Sequence, residues 1–107
     1  MARFKFVVLT RATDDRDDEF NSWYDAVHLP DVLAVDGAVG ARRYRLAGDD
    51  KSCPYTYLTL YDWDAESADA ARASLAAATA AGLLPLDDVL DIDHTCAWFF
   101  APMDSET

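Results

Sequence analysis

The apolar residues of this chain fall into four short runs typical of strands and two segments with the spacing of a helix. The strand-like runs are rich in aromatic and β-branched residues and cover 4–10, 39–46, 55–63 and 92–101. The first helix follows from four residues at positions i, i+3, i+4 and i+7, namely Phe20, Trp23, Tyr24 and Val27. The second is an alanine-rich segment over 65–81, for which Asp64 is the expected N-cap and Gly82 the end.

The order of these segments is β-α-β-β-α-β, which predicts one small α+β domain. In this ferredoxin-like arrangement, a four-stranded antiparallel sheet carries both helices on one face. The domain is expected to span residues 1–103, with a polar C-terminal tail over 104–107. Pro30 is expected to break or kink the first helix, because it lacks an N–H group and disfavours helical geometry at the residue before it. A second helical piece over 31–35 then fits the sequence.

Neither face of the predicted sheet is hydrophilic, although two helices cover only one of them. One face of the third strand carries Tyr55, Tyr57, Thr59, Tyr61 and Trp63, and the other includes Leu58 and Leu60. In the fourth strand, His94, Cys96, Trp98 and Phe100 alternate with residues that include Ala97 and Phe99. An apolar face left in water is unfavourable, so we expect a homodimer in which two sheets pack face to face. The alternative is a monomer whose surface tyrosines lie in water.

The composition narrows the classes of partner. The chain has 107 residues, of which 20 are acidic and 9 basic, and its formal net charge is −11 at pH 7. Such a charge repels phosphate, so neither nucleic acid nor an anionic membrane is an expected partner. No apolar run is long enough to span a bilayer, and the N-terminal residues lack the apolar core of a signal peptide, so we expect a cytoplasmic protein. The two cysteines, Cys53 and Cys96, are accordingly not expected to form a disulfide framework.

The densest group of polar and aromatic residues is W-Y-D-A-V-H-L-P-D-V-L over 23–33. Tyr24 and Asp25 precede His28 by four and three residues, so both are neighbours of the imidazole on a helix surface. A carboxylate that orients an imidazole favours general acid–base catalysis. The alternative is a histidine at the edge of an apolar helix face, held by a hydrogen bond to a carboxylate or a carbonyl group. No pair of His or Cys has the spacing of a metal site, and no G-x-G-x-x-G or P-loop sequence is present, so we expect neither a metal ion nor a nucleotide cofactor.

The segment over 20–44, F-N-S-W-Y-D-A-V-H-L-P-D-V-L-A-V-D-G-A-V-G-A-R-R-Y, resembles the EthD (ethyl tert-butyl ether degradation) family. More broadly, it is similar to the dimeric α+β barrel superfamily, which includes antibiotic-biosynthesis monooxygenases, polyketide cyclases and muconolactone isomerase. The shared pattern is a W-Y-x-x-x-H-L-P block, a short helical turn, a bend and a strand that ends in R-Y. At the bend, D-G-A-V over 36–39 replaces the usual P-G-F. The third strand, Y-L-T-L-Y-D-W over 57–63, also fits the family pattern.

This resemblance implies ferredoxin-like subunits that pair through their sheets, and a pocket in each subunit between the sheet and the helices. The pocket would hold a small apolar, aromatic or polyketide-like molecule. By the same resemblance, His28 is the motif histidine, Trp23 and Tyr24 are its aromatic neighbours, and Asp31 is the acid that follows the proline. Trp23, Asp31 and Tyr57 are the expected ligand-binding residues.

Three functions are compatible with this sequence. The first is a cofactor-independent acid–base enzyme of cyclase, isomerase or monooxygenase type, in which His28 is the acid or base, Asp25 or Asp31 positions it, and Tyr24 is a hydrogen-bonding partner. The second is a non-catalytic ligand-binding or accessory protein with the same pocket. The third is a structural dimer without a pocket, in which Trp23 and Tyr24 are only core residues. A cavity beside His28 distinguishes the third function from the first two, and turnover distinguishes the first from the second.

Overall fold

The computed structural model of the protein describes residues 1–103, and the predicted tail over 104–107 lies outside the described residues. Four strands, Ala2–Thr10 (β1), Ala38–Arg45 (β2), Tyr57–Ala65 (β3) and Cys96–Phe100 (β4), form one sheet in the order β2-β3-β1-β4. Every neighbouring pair of strands is antiparallel. The predicted α+β fold with a four-stranded antiparallel sheet is therefore confirmed.

The first helical region is continuous from Asp17 to Leu33, although it contains Pro30. It consists of an α-helix, Asp17–Trp23 (α1), a π-helical segment, Tyr24–His28, and a second α-helix, Leu29–Leu33 (α2). Pro30 stands in the first turn of α2, where a missing N–H group is tolerated, so it does not end the helix. The predicted break is thus a widened helical turn immediately before the proline.

The alanine-rich helix is Ala68–Ala80 (α3), and it begins later than predicted. Its N-cap is Ser67 and not Asp64: the hydroxyl of Ser67 accepts a hydrogen bond from the N–H of Ala70 at 3.0 Å. Asp64 still belongs to β3, where its carboxylate pairs with Arg3 of β1. Because the strand continues past Asp64, no helix begins there. No helix within residues 1–103 is long and apolar enough to cross a membrane.

The fourth strand is shorter than predicted, because the first part of its sequence forms a tight turn. Ile92–His94 is a 3-10 helical turn, and the strand begins only at Cys96. Asp91 stabilises this turn. Its backbone carbonyl accepts hydrogen bonds from the N–H of His94 at 3.0 Å and from the hydroxyl of Thr95 at 2.9 Å. Its carboxylate lies 2.9 Å from Nδ1 of His94. His94 is therefore a turn residue and does not alternate with the residues of β4 on one strand face.

The two faces of the sheet differ in burial. The face covered by the helices carries the buried residues of the two central strands, Phe4, Phe6, Val8, Thr10, Tyr57, Thr59, Tyr61 and Trp63. On the opposite face, called the helix-free face below, no residue of β1 or β3 is fully buried. Trp98 and Phe100 of β4 belong to that face, and each is 54% exposed. The single chain thus leaves an apolar sheet face open.

Candidate functional site

The π-helical segment brings aromatic rings to both sides of His28. The Trp23 ring stacks on the imidazole, with ring centroids 4.9 Å apart and planes at 23°. The Tyr24 ring meets the same imidazole edge-on, with centroids 4.9 Å apart and planes at 72°. Residues five apart in an α-helix are separated by about 140° around the axis. The stack of Trp23 on His28 therefore depends on the wider π turn.

The proline explains why the helix widens at this point. A proline ring clashes with the carbonyl group four residues earlier and has no N–H to donate. The N–H of Leu29, the residue before the proline, donates to the carbonyl of Tyr24, five residues earlier. In a regular α-helix it would donate to the carbonyl four residues earlier. Every fourth residue from Phe20 to Val32 faces the protein interior, a spacing that drifts by about 40° per step around a regular α-helix. The π turn offsets this drift and keeps His28 on the inner side of the helix.

His28 is half-buried, and its Nδ1 atom has no hydrogen-bond partner within residues 1–103. Burial lowers the pKa of the imidazole below its ordinary value of about 6.5, and the charge of Asp31 opposes this shift. The ring is therefore neutral at pH 7 and able to accept a proton. Because Nδ1 has no partner, no hydrogen bond at that atom fixes the tautomer.

The hydrogen bond expected between His28 and a carboxylate is not formed in the described structure. Oδ1 of Asp25 instead lies 3.0 Å from Nη1 of Arg43 on β2, and the Asp25 side chain is 64% exposed. Asp31 is half-buried and acts on His28 through its charge. The spacing in the sequence correctly places both carboxylates near the histidine along the helix, but the wider turn and Arg43 decide where Asp25 binds.

Arg43 is a residue of this site that the sequence analysis missed. Its guanidinium lies over the Tyr24 ring, with Cζ 4.3 Å from the ring centroid, and Nη2 donates a hydrogen bond to Oδ1 of Asn21 at 3.0 Å. Together with the ion pair to Asp25, these contacts leave only 16% of the side chain exposed. Successive residues of a strand face opposite sides of the sheet. This alternation is the signal that distinguishes Arg43 from its exposed neighbour Arg42.

Tyr24 shares a hydrogen bond with Tyr61 of β3, and their hydroxyl oxygens are 3.1 Å apart. Both side chains are almost fully buried. Burial raises the pKa of both hydroxyl groups, so both are protonated at neutral pH. Only one O–H group donates in the mutual bond, so the other can donate elsewhere, and the neighbouring Thr59 side chain is a further candidate hydrogen-bond partner of Tyr24.

A cavity of about 200 Å³ lies between the sheet and the helices and reaches Tyr24 and His28. Its wall is mostly apolar and includes Phe6, Val8, Val32, Leu75 and Leu90. Thr10 also lines it, and the Oγ1 atom of this buried threonine has no hydrogen-bond partner in the described part of the chain. Few polar groups in an apolar cavity are typical of a site that orients a small molecule.

Of the six residues predicted for the site, Tyr24 and His28 line this cavity. Trp23 lies behind the imidazole and supports it by stacking. Asp25 lies at the surface and Asp31 is half-buried on the same helical region. The first helical region therefore places three predicted aromatic or imidazole rings together, and the carboxylates lie outside that group.

Tyr57, the sixth predicted residue, lies on the neighbouring part of β3. Its hydroxyl donates a hydrogen bond to Oδ2 of Asp17 at 2.6 Å, and its ring stacks on Phe20 with centroids 5.2 Å apart. Both partners belong to α1, so Tyr57 fixes that helix to the sheet. Whether it also contacts a ligand stays a prediction.

The chemistry available at the cavity is proton transfer. A neutral imidazole accepts a proton, and a buried phenol donates a hydrogen bond. Within residues 1–103, no three His, Cys, Asp or Glu side chains lie close enough together to hold a metal ion. The second histidine, His94, is bound to Asp91 in its turn. Independence from metals and nucleotide cofactors stays a prediction from the sequence.

Two solved structures share this fold. The chain is similar to a "putative monooxygenase" from Shewanella loihica PV-4, with 15% identity over 95% of each chain and a TM-score of 0.63. It is also similar to an ethyl tert-butyl ether degradation (EthD) family protein from Bacillus halodurans C-125, with 14% identity over 94% of this chain and 99% of that chain and a TM-score of 0.59. No protein-family model and no curated protein matches the sequence. At such identities, the likeness confirms the predicted EthD-like fold and carries no activity with it.

Proposed function

We propose that the protein binds a small apolar or aromatic molecule with an oxygen-containing polar group in the cavity beside Tyr24 and His28. The observation that supports this proposal is the combination, in one apolar cavity, of a neutral imidazole and a buried phenol. Burial of apolar ligand surface supplies affinity at about 25 cal/mol per Å². The two polar groups then orient the ligand. The cavity argues against a purely structural dimer without a pocket.

In the enzymatic form of this proposal, the protein catalyses a proton-transfer reaction such as isomerisation or cyclisation. His28 accepts a proton from the ligand, and Tyr24 donates a hydrogen bond to the ligand oxygen on which negative charge develops. Trp23 holds the plane of the imidazole, and the charge of Asp31 stabilises the imidazolium. The proton returns to the ligand at its new position, so the reaction is balanced without a cofactor. The alternative is a protein that binds the same molecule without converting it.

Substitutions at the two polar groups test the proposal, with phenol as the probe and nuclear magnetic resonance (NMR) titration as the measurement. We expect His28→Ala and Tyr24→Phe each to weaken phenol binding at least about tenfold, because each removes one hydrogen bond to the hydroxyl of the probe. His28→Ala is expected to reduce the free energy of unfolding by only about 1–2 kcal/mol. His94→Gln is the control, because that histidine belongs to the turn at Asp91. A His28→Ala variant that unfolds more easily but binds phenol normally would make His28 structural.

We also propose that two chains pair through the helix-free face, as the strand pattern predicts. This face carries the exposed residues Tyr44, Trp98 and Phe100 and the half-buried residues Val7, Leu9, Leu58 and Leu60. A second copy would remove this apolar surface from water. Arg3 and Lys5 on this face are already paired with Asp64 and Asp62, and the exposed Arg42 belongs to the edge strand β2, from which its long side chain can reach water. The cytoplasmic location stays a prediction from the sequence.

A further inference from the structure

A surface groove of about 510 Å³, called the outer groove below, lies between α3 and β4. It adjoins the cavity beside His28, called the inner cavity below. Four residues line both spaces, namely Phe6, Leu75, Thr79 and Ala97. The inner cavity and the outer groove therefore adjoin at these four side chains.

The outer groove is apolar along most of its length. Ala76 and Ala80, one turn apart on α3, leave it wide because their side chains are small, and Phe99 of β4 forms the opposite wall. Within residues 1–103, the one charged side chain among those that line it is Arg72, whose guanidinium is paired with Asp69. Of the other described side chains that line the groove, only Thr79 and Trp98 carry polar atoms, and the Thr79 hydroxyl already donates to the carbonyl of Leu75. The part of a ligand that fits there is therefore uncharged and apolar.

We infer that the ligand is an elongated molecule, with a polar head at Tyr24 and His28 and an uncharged apolar tail that passes Leu75 and Ala97 into the outer groove. This inference rests on the function proposed above and adds the class of ligand. The inner cavity, at about 200 Å³, is smaller than the roughly 300–1,000 Å³ typical of sites for drug-sized molecules. The inner cavity and the outer groove together fall within that range. A single aromatic ring needs only the inner cavity, whereas a longer molecule needs both.

A series of 4-alkylphenols, from phenol to 4-octylphenol, tests the inference. The phenolic hydroxyl suits the polar end of the cavity because it both donates and accepts hydrogen bonds. Each added methylene lengthens the tail and leaves the head unchanged. We expect the affinity to increase by about fourfold per methylene up to the longest chain, the fold-change that corresponds to ~0.8 kcal/mol for each buried methylene. A ligand that ends in the inner cavity would show no further increase once that cavity is filled.

Two matched variants distinguish specific binding in the groove from non-specific hydrophobic binding of the longer phenols. Ala76→Phe places a large ring in the outer groove. Ala77→Phe makes the same exchange at the next position of α3, which is exposed and does not line the groove. We expect Ala76→Phe to bind phenol normally and 4-octylphenol at least tenfold more weakly than the Ala77→Phe control. In the wild-type chain, the methyl NMR signals of Ala76 and Ala80 should shift with 4-octylphenol and stay in place with phenol.

The outcomes distinguish the two proposals. Phenol could bind at His28 while the affinity does not increase with alkyl length, or while both variants bind 4-octylphenol equally. In either case the inference of an elongated ligand is wrong and the proposed function stands. If phenol does not bind and the longer phenols do not bind either, the proposed function fails and the inference fails with it. Rising affinity that is lost only in Ala76→Phe supports both.

Discussion

At the scale of single residues, the surroundings of His28 determine the charge of the proposed site. Burial lowers the pKa of this imidazole, and Asp31 only partly opposes the shift. We predict that the ring titrates below pH 6.5 in the folded protein. The unfolded chain then takes up the proton at a higher pH than the folded chain does. The free energy of unfolding should therefore decrease as the pH falls through about 6.5 and level off below the pKa of the folded state.

Carbon-detected NMR measures the pKa of the imidazole ring. Urea denaturation between about pH 7 and pH 5 measures how the free energy of unfolding depends on pH. His28→Gln removes the titrating ring, so its stability should lose this component of the pH dependence, and His94→Gln should retain it. A His28 ring that titrates at or above pH 6.5 would show that burial does not control its charge.

Arg43 gives a second prediction at this scale, because one side chain connects the helix and the sheet at the site. In Arg43→Met, the Asp25 carboxylate and Oδ1 of Asn21 lose the guanidinium as a partner, and the Tyr24 ring loses its cation. We expect a decrease of about 2 kcal/mol in the free energy of unfolding, measured by urea denaturation. Arg45→Met is the matched control two residues along the same strand. Arg45 is exposed, and its Cζ atom lies 5.8 Å from the centroid of the Tyr57 ring. Its replacement should therefore lower the free energy of unfolding by less than about 0.5 kcal/mol. Equal losses in both variants would contradict this interpretation.

At the scale of secondary structure, the sequence predicts elements better than it predicts their ends. The strands and helices are predictable because apolar periodicity directly reflects which side of each element is buried. The π turn is harder to predict, since the positions Phe20, Trp23 and Tyr24 fit a regular α-helix equally well. Only the clash at Pro30, together with four-residue spacing up to Val32, indicates a wider turn. The turn at 92–94 also escaped prediction, because an apolar residue at its start has the character of a strand residue and the hydrogen bonds of Asp91 outweigh it.

The bend between α2 and β2 depends on Gly37, and this position gives a prediction at the scale of elements. Its φ is +104°, and a Cβ atom there would lie 2.4 Å from Nε1 of Trp63 and 2.8 Å from the carbonyl oxygen of Asp64. Gly48→Ala is the matched control, since Gly48 also has a positive φ, +72°, but open space around it. The free energy of unfolding should decrease by roughly 1–2 kcal/mol in both variants, because a side chain disfavours the left-handed backbone conformation. Gly37→Ala should lose about 1–3 kcal/mol more through overpacking against a buried tryptophan. Thermal unfolding of both variants measures the difference, and similar melting temperatures would exclude the close approach as the cause.

At the scale of the whole molecule, the site is only partly predictable from the sequence. Tyr24 and His28 were predicted because they lie on one helix, where spacing alone determines which residues are neighbours. Arg43, Tyr61 and Thr10 reach the same place from three different strands. Their meeting depends on the strand order β2-β3-β1-β4 and on the register of each pair, which local periodicity does not specify. The part of the site contributed by the sheet therefore becomes visible only in the assembled fold.

The helix-free face gives the last prediction, which concerns the assembly. Leu60 lies at the centre of this face, directly across from Arg42 of β2 and Val7 of β1. Leu60→Glu replaces apolar surface in the proposed interface by a carboxylate, and burying that carboxylate costs more than its pairing with Arg42 returns. In the separate chain, the same carboxylate lies in water across from Arg42, so the fold should persist. We expect the wild-type protein to sediment at twice its chain mass of 11.8 kDa at micromolar concentration, and Leu60→Glu to sediment as a folded monomer. Leu83→Glu, at a position 61% exposed just after α3, should remain dimeric.

Since each chain carries a net charge of −11, added salt should strengthen the wild-type dimer by screening repulsion. A wild-type chain that stays soluble and monomeric at high salt would show that water alone covers this face.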